Sequence, residues 1–99
     1  MEVTEATVDL DQPGKMLLRL CKHFEHKVSV TYSETKAHME FIIGSCDAEV
    51  IGNALHFICR SNEKNENQEI QNVIERHLVR FARKEDINFG WRVVSGNTE

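Results

Sequence analysis

The feature that most constrains this chain is a stripe of side chains late in the sequence. Ile70, Val73, Ile74, His77, Leu78 and Phe81 recur at i, i+3, i+4, i+7, i+8 and i+11, the spacing of one face of an α-helix. A helix with one apolar face is held mainly by what that face packs against, so the rest of the chain must supply a surface. The preceding residues say what kind. From Lys27 to Arg60 the apolar period falls to two: Val28, Val30 and Tyr32, then Ala37, Met39, Phe41 and Ile43, then Cys46, Ala48 and Val50, then Leu55, Phe57 and Cys59. Strict alternation marks half-buried strands. Ser33 to Lys36, Gly44-Ser45 and Gly52-Asn53 are the breaks, so the pattern predicts a four-strand meander with one apolar side.

Elements on either side complete the plan. Ala6, Val8 and Leu10 alternate with Glu5, Thr7 and Asp9 as a first strand over Glu5 to Leu10. Leu17, Leu20, Cys21 and Phe24 then follow at helical spacing, with Asp11 as the expected N-cap and Pro13 in the first turn. This first helix is expected over Gln12 to His26. Ser61 or Asn65 could cap the second helix, the latter with Gln68 placed for a capping box. Ile87, Phe89, Trp91 and Val93 alternate as a last strand, before a polar tail from Ser95 to Glu99. The order β-α-β-β-β-β-α-β predicts an α+β fold, an antiparallel curved sheet with both helices packed on one face. The arrangement resembles the TATA-binding-protein-like architecture, which by itself carries no implication of DNA binding. The other sheet face would bear His38, Glu40, Ile42, Asp47, Glu49 and His56 among others, either solvated or used for a partner.

Length and charge set limits on function. Ninety-nine residues enclose a single domain, 1–99, with an ordered core expected over about 3–94. With 40% hydrophobic and 28% charged residues the chain has the balance of a folded globular protein. A net charge of −4 disfavours nucleic acid as a ligand. No stretch is apolar enough to span a membrane, and the acidic start Met1-Glu2-Val3-Thr4-Glu5 is unlike a signal peptide, so a cytoplasmic protein is expected. Cys21, Cys46 and Cys59 lack C-x-x-C spacing and read as reduced thiols. No nucleophile elbow, phosphate loop or dinucleotide fingerprint is present, which leaves catalytic residues unassigned.

The candidate site rests on histidines. In Cys21-Lys22-His23-Phe24-Glu25-His26, Cys21 and His23 point about 160° apart on a helix, whereas His23 and His26 are i, i+3 neighbours. Two histidines are an incomplete metal site. On the other reading, Cys21 packs in the core and His26 sits favourably near the helix C-terminus. His77 is the sharper anomaly, since it falls inside the apolar stripe and should be largely buried, where some group must satisfy its ring. It is either a core histidine held by one partner or a member of a polar pocket with His23. Arg76, Arg80, Arg83 and Lys84 form a basic run that reads chiefly as a solvated helix face. Arg80 lies on the His77 side, where its stem could be partly buried and its head could meet a carboxylate.

Two segments together resemble a known family: Leu20-Cys21-Lys22-His23-Phe24-Glu25-His26-Lys27, and His77-Leu78-Val79-Arg80-Phe81-Ala82-Arg83-Lys84-Glu85 followed by Trp91. They are similar to the bacterial domain-of-unknown-function family numbered 2218. Departures are Phe24, where a tryptophan is more usual, and Val79, where an acidic residue is common. The resemblance implies a small bacterial protein without an assigned activity, and a related domain is found fused to siderophore-interacting flavoproteins. It marks His23, His26, His77, Arg80 and Trp91 as a candidate pocket expected to converge, with His23 and His77 the candidate ligands for an iron or zinc ion. The function expected is an accessory binding module for iron, a siderophore fragment or another small ligand or protein partner. The alternatives are a small enzyme built on His23 and His77, and a structural domain that dimerises through its outward sheet face.

Overall fold

The computed structural model describes residues 1–83 and 85–96. The elements follow as β1 (Glu2–Asp9), α1 (Pro13–Phe24), β2 (Ser29–Tyr32), β3 (Lys36–Phe41), β4 (Gly44–Ile51), β5 (Ala54–Ser61), α2 (Lys64–Phe81) and β6 (Arg92–Ser95). Six strands make one open sheet in the order β2-β3-β4-β5-β1-β6, each neighbouring pair antiparallel. The expected α+β class and element order hold. β2 to β5 are the meander, and β1 pairs with β5 from Glu2 opposite Ser61 to Asp9 opposite Ala54.

Alternation puts Ala6, Val8, Met39, Cys46, Leu55 and Phe57 on one face, all buried. Leu17, Leu20 and Phe24 of α1 and Ile70, Ile74 and Leu78 of α2 join them in a single cluster, so both helices cover the same side of the sheet. Each fully buried large side chain contributes about 1.5–3 kcal/mol. The three cysteines are free and buried within this core. No helix among the described residues is long and apolar enough to cross a membrane.

Several local expectations are corrected. β1 begins at Glu2 rather than Glu5. α1 begins after Gln12, which has no side-chain cap bond, with Pro13 supplying a preset φ in the first turn. Asp11 is not the cap; its N–H donates to Glu85 Oε1 at 2.8 Å. The helix stops at Phe24, short of His26, because the Phe24 carbonyl accepts the N–H groups of both Lys27 and Val28 and turns the chain into β2. Glu63, not Ser61 or Asn65, opens α2: its N–H donates to Glu66 Oε1 at 3.1 Å, while Ser61 ends β5 and donates its hydroxyl to the Glu63 carbonyl.

The β3–β4 turn lies at Ile42-Ile43, two residues before the Gly44-Ser45 break expected to make it, and Gly44 opens β4. Gly44 has φ +154°, and a Cβ there would run into the Arg60 carbonyl oxygen and the Ile70 side chain. Glycine is required so that β5 and α2 can approach, and Ile42 is left fully exposed at the hairpin tip instead of on the sheet face. Ile87 to Trp91 is not strand. Phe89 and Trp91 stack with ring centroids 5.7 Å apart and pack towards Phe57, so they cover the core and strand pairing starts only at Arg92. Ser95, expected in the tail, ends β6; Asn97 to Glu99 and Lys84 lie outside the described residues.

Candidate functional site

The site lies where the two helices meet. α1 turns Leu17, Leu20, Cys21 and Phe24 towards the sheet, which leaves His23 on the flank that faces α2. α2 buries Ile70, Ile74 and Leu78 and presents His77 towards α1. The imidazole centroids of His23 and His77 are 4.5 Å apart. Aromatic rings surround them: Phe24 is 4.9 Å from His77, Phe81 is 5.9 Å from His23, and Phe41 reaches Phe24 from β3 at 5.8 Å. The Arg19 guanidinium sits 4.8 Å from the Phe81 ring centre and closes the far side with a cation–π contact.

The nitrogens of the pair are unequal. His77 Nδ1 donates its hydrogen to the Val73 carbonyl at 2.7 Å, one helical turn back, so the neutral ring carries its lone pair on Nε2. This answers the question of which group satisfies His77: its own helix does, and the ring is half-buried rather than fully enclosed. His23 is the histidine left wanting. Its Nε2 is buried and has no hydrogen-bond partner among the described residues. A buried polar atom without a partner costs about 1–3 kcal/mol. Burial, then the neighbouring His77 and the charges of Lys27, Arg80 and His26, hold the His23 pKa below its ordinary value. Both effects favour the neutral ring, whose Nε2 is left without a partner.

The other expected members stand apart. Trp91 does not join the pair: its indole N–H donates to Glu75 Oε2 and its ring packs with Phe57 and Phe89. Glu75 and His77 are two residues apart on α2 and so point about 160° away from each other, which puts Trp91 on the other flank of the helix. His26 is exposed beyond the end of α1. Arg80 is exposed and acts on His23 through its charge alone; among the described residues no carboxylate makes an ion pair with it. No group of three metal-binding side chains gathers among the described residues, so the histidine pair could supply only part of a coordination shell.

A second polar cluster lies on the uncovered face of the sheet, among residues that the sequence places there as solvated or used for a partner. His38 is clamped between two carboxylates, Nδ1 to Asp47 Oδ1 at 2.6 Å and Nε2 to Glu40 Oε2 at 2.7 Å, and Asp47 is also paired with Arg60. Hydrogen bonds to Asp47 and then Glu40 raise the His38 pKa. Across the same face Glu5 accepts from Arg92 and from His56, which in that order hold its pKa low. Strand register makes these groups neighbours: His38 lies opposite Asp47, and Glu5 opposite Arg92. With both His38 nitrogens engaged by acids, the protonated ring is favoured and no nitrogen is left free to act as a base.

Residues 5–92 match a family model described as "Uncharacterized protein conserved in bacteria (DUF2218)". A solved structure, the NMR structure of PA4090 from Pseudomonas aeruginosa, is similar over 93% of this chain and 96% of that one, with a TM-score of 0.80 and 25% sequence identity. No curated protein matches the chain in sequence.

Proposed function

The chain belongs to the uncharacterised bacterial family DUF2218, and we propose that it is a small binding module whose ligand meets the His23–His77 pair. The observation that carries this reading is the orphaned, buried Nε2 of His23 beside a second imidazole whose free nitrogen is also Nε2. An Nδ1–H given to a backbone carbonyl is the usual way a histidine is oriented for metal binding through Nε2. Zinc and ferrous iron accept neutral imidazole, and the donor set fits them as two ligands of four or six. The remaining positions fall to the cargo, so a metal chelate such as a siderophore fragment suits the pair better than a bare structural ion. Phe24, Phe41 and Phe81 make the surround apolar, which strengthens any polar contact formed inside it.

The test is calorimetric titration of the purified chain with Zn2+ and, anaerobically, Fe2+, each alone and with a bidentate hydroxamate. One equivalent should bind, more tightly with the chelator present. His77→Leu should keep the fold and abolish binding, and His23→Leu should do the same while raising the melting temperature, because it removes the unsatisfied nitrogen. Binding that survives both substitutions would contradict the proposal.

A further inference from the structure

The charges around the helix pair are one-sided. Arg19 lies one turn before His23 on α1, and Arg80 lies about one turn beyond His77 on α2. The Lys27 N–H donates to the Phe24 carbonyl at 2.8 Å, which holds that residue against the end of α1. All three cations are exposed, and among the described residues none makes an ion pair with a carboxylate. The Arg19 guanidinium is kept beside the pair by the Phe81 ring, which itself packs on His23. After burial and His77, it is Lys27 and Arg80 that lower the His23 pKa, as positive charges close by must.

The acids near the pair in sequence face elsewhere. Glu25, two residues after His23, accepts from the Tyr32 hydroxyl at 3.2 Å. Glu75, two residues before His77, accepts from the Trp91 indole, and Glu85, beyond the end of α2, accepts from the Asp11 N–H. Ion pairs such as Arg60–Asp47 and Arg92–Glu5 lie on the open face of the sheet, away from the helices. A chain of net charge −4 thus keeps an uncompensated positive rim around its two facing imidazoles. Such a rim repels a bare dication and attracts an anion, and the apolar walls of Phe24 and Phe81 strengthen both effects.

Resting on the reading that the histidine pair is a metal-binding site, we infer that its cargo is a negatively charged chelate: a metal held by anionic oxygen donors, with Arg19, Lys27 and Arg80 as its counter-charges and the two imidazoles as its remaining ligands. The two roles are separable. The histidines supply coordination, which any chelate with open positions can use, whereas the rim selects among chelates by their charge.

Two chelates of Ni2+, an ion that imidazole also suits, test this by calorimetry on the untagged chain at low ionic strength. Nitrilotriacetate and tris(2-aminoethyl)amine are tripods of similar shape that leave the same positions open on octahedral nickel, but the first complex is an anion and the second a dication. The nitrilotriacetate complex should bind roughly tenfold or more tightly than the amine complex. Arg80→Gln should weaken the anionic complex and tighten the cationic one, each by roughly two- to fivefold, and adding Arg19→Gln and Lys27→Gln should remove most of the preference. Lys64 is exposed at the other end of α2, about 20 Å from His77 along the helix axis. Lys64→Gln removes the same charge there and should move neither affinity. A wild type that binds neither complex, or binding that survives His77→Leu, would overturn both the site and the charge of its cargo. Binding that needs His77 but shifts in one direction for both complexes on Arg80→Gln, does not shift at all, or shifts equally on Lys64→Gln would leave the site standing and overturn the anionic cargo alone.

Discussion

Among the individual residues, the histidines pull stability in opposite directions with pH. His38, raised by Asp47 and Glu40, binds its proton more tightly folded than unfolded. Its contribution is complete below the unfolded value of about 6.5 and fades as pH rises through the higher folded value. His23, lowered chiefly by burial, does the reverse: folding favours the neutral ring, so its contribution is present above about 6.5 and is lost as pH falls through the lower folded value. Proton NMR titration should therefore find His23 below and His38 above the ordinary histidine midpoint. Asp47→Asn should bring His38 back down and leave His23 unmoved, which separates the open-face cluster from the helix pair. Coincident midpoints for the two rings would contradict both assignments. A third titratable group is sequestered: burial and then Glu25 push the Cys21 thiol up to about 11, so it stays protonated and unreactive at neutral pH.

At the level of elements, one buried amide ties α2 to the sheet. Asn67 is fully buried, and its Nδ2 donates to the carbonyls of Glu2 on β1 and Cys59 on β5, while its Oδ1 accepts from Thr4 and Gln71. Asn67→Ala takes one hydrogen bond from each of the Glu2 and Cys59 carbonyls, Thr4 and Gln71, the last two keeping their bond to each other, and should cost roughly 2–4 kcal/mol, read from denaturant midpoints. A loss below about 0.5 kcal/mol would mean that water replaces the amide. The polar run from Ser61 to Gln68 hid this residue, because one asparagine among Asn, Glu and Lys carries no periodic signal of burial. The requirement at Gly44 was hidden for a related reason. The sequence marks the residue as a break, but its need to carry no side chain comes from the Arg60 backbone across the sheet, a contact far away in sequence. By contrast, Ile70 to Phe81 and Val28 to Cys59 announced their elements, since a period of 3.6 or 2 in apolar residues is itself the imprint of one buried face.

For the whole molecule, the decisive inference from sequence was geometric: two amphipathic helices and one apolar sheet face can be buried only if both helices lie on that face. That condition brings His23 and His77 together, and in the structure their rings meet at 4.5 Å. Trp91, which entered the expected pocket through the family resemblance, stands apart from the pair, because the segment expected as a strand gives way to aromatic packing on Phe57. The burial condition could not reveal the His38 clamp, because which outward residues become neighbours depends on strand register, and the turn at Ile42-Ile43 was misplaced by two residues. The central claim is that the two imidazoles act as one ligand site through their Nε2 atoms. Long-range proton–nitrogen NMR of the imidazole rings during Zn2+ titration addresses it most directly. The claim predicts that Nε2 of His23 and Nε2 of His77 shift together and saturate at one equivalent, with His26, His38 and His56 unmoved. Unchanged Nε2 signals at His23 and His77, or a response confined to the other three histidines, would contradict it.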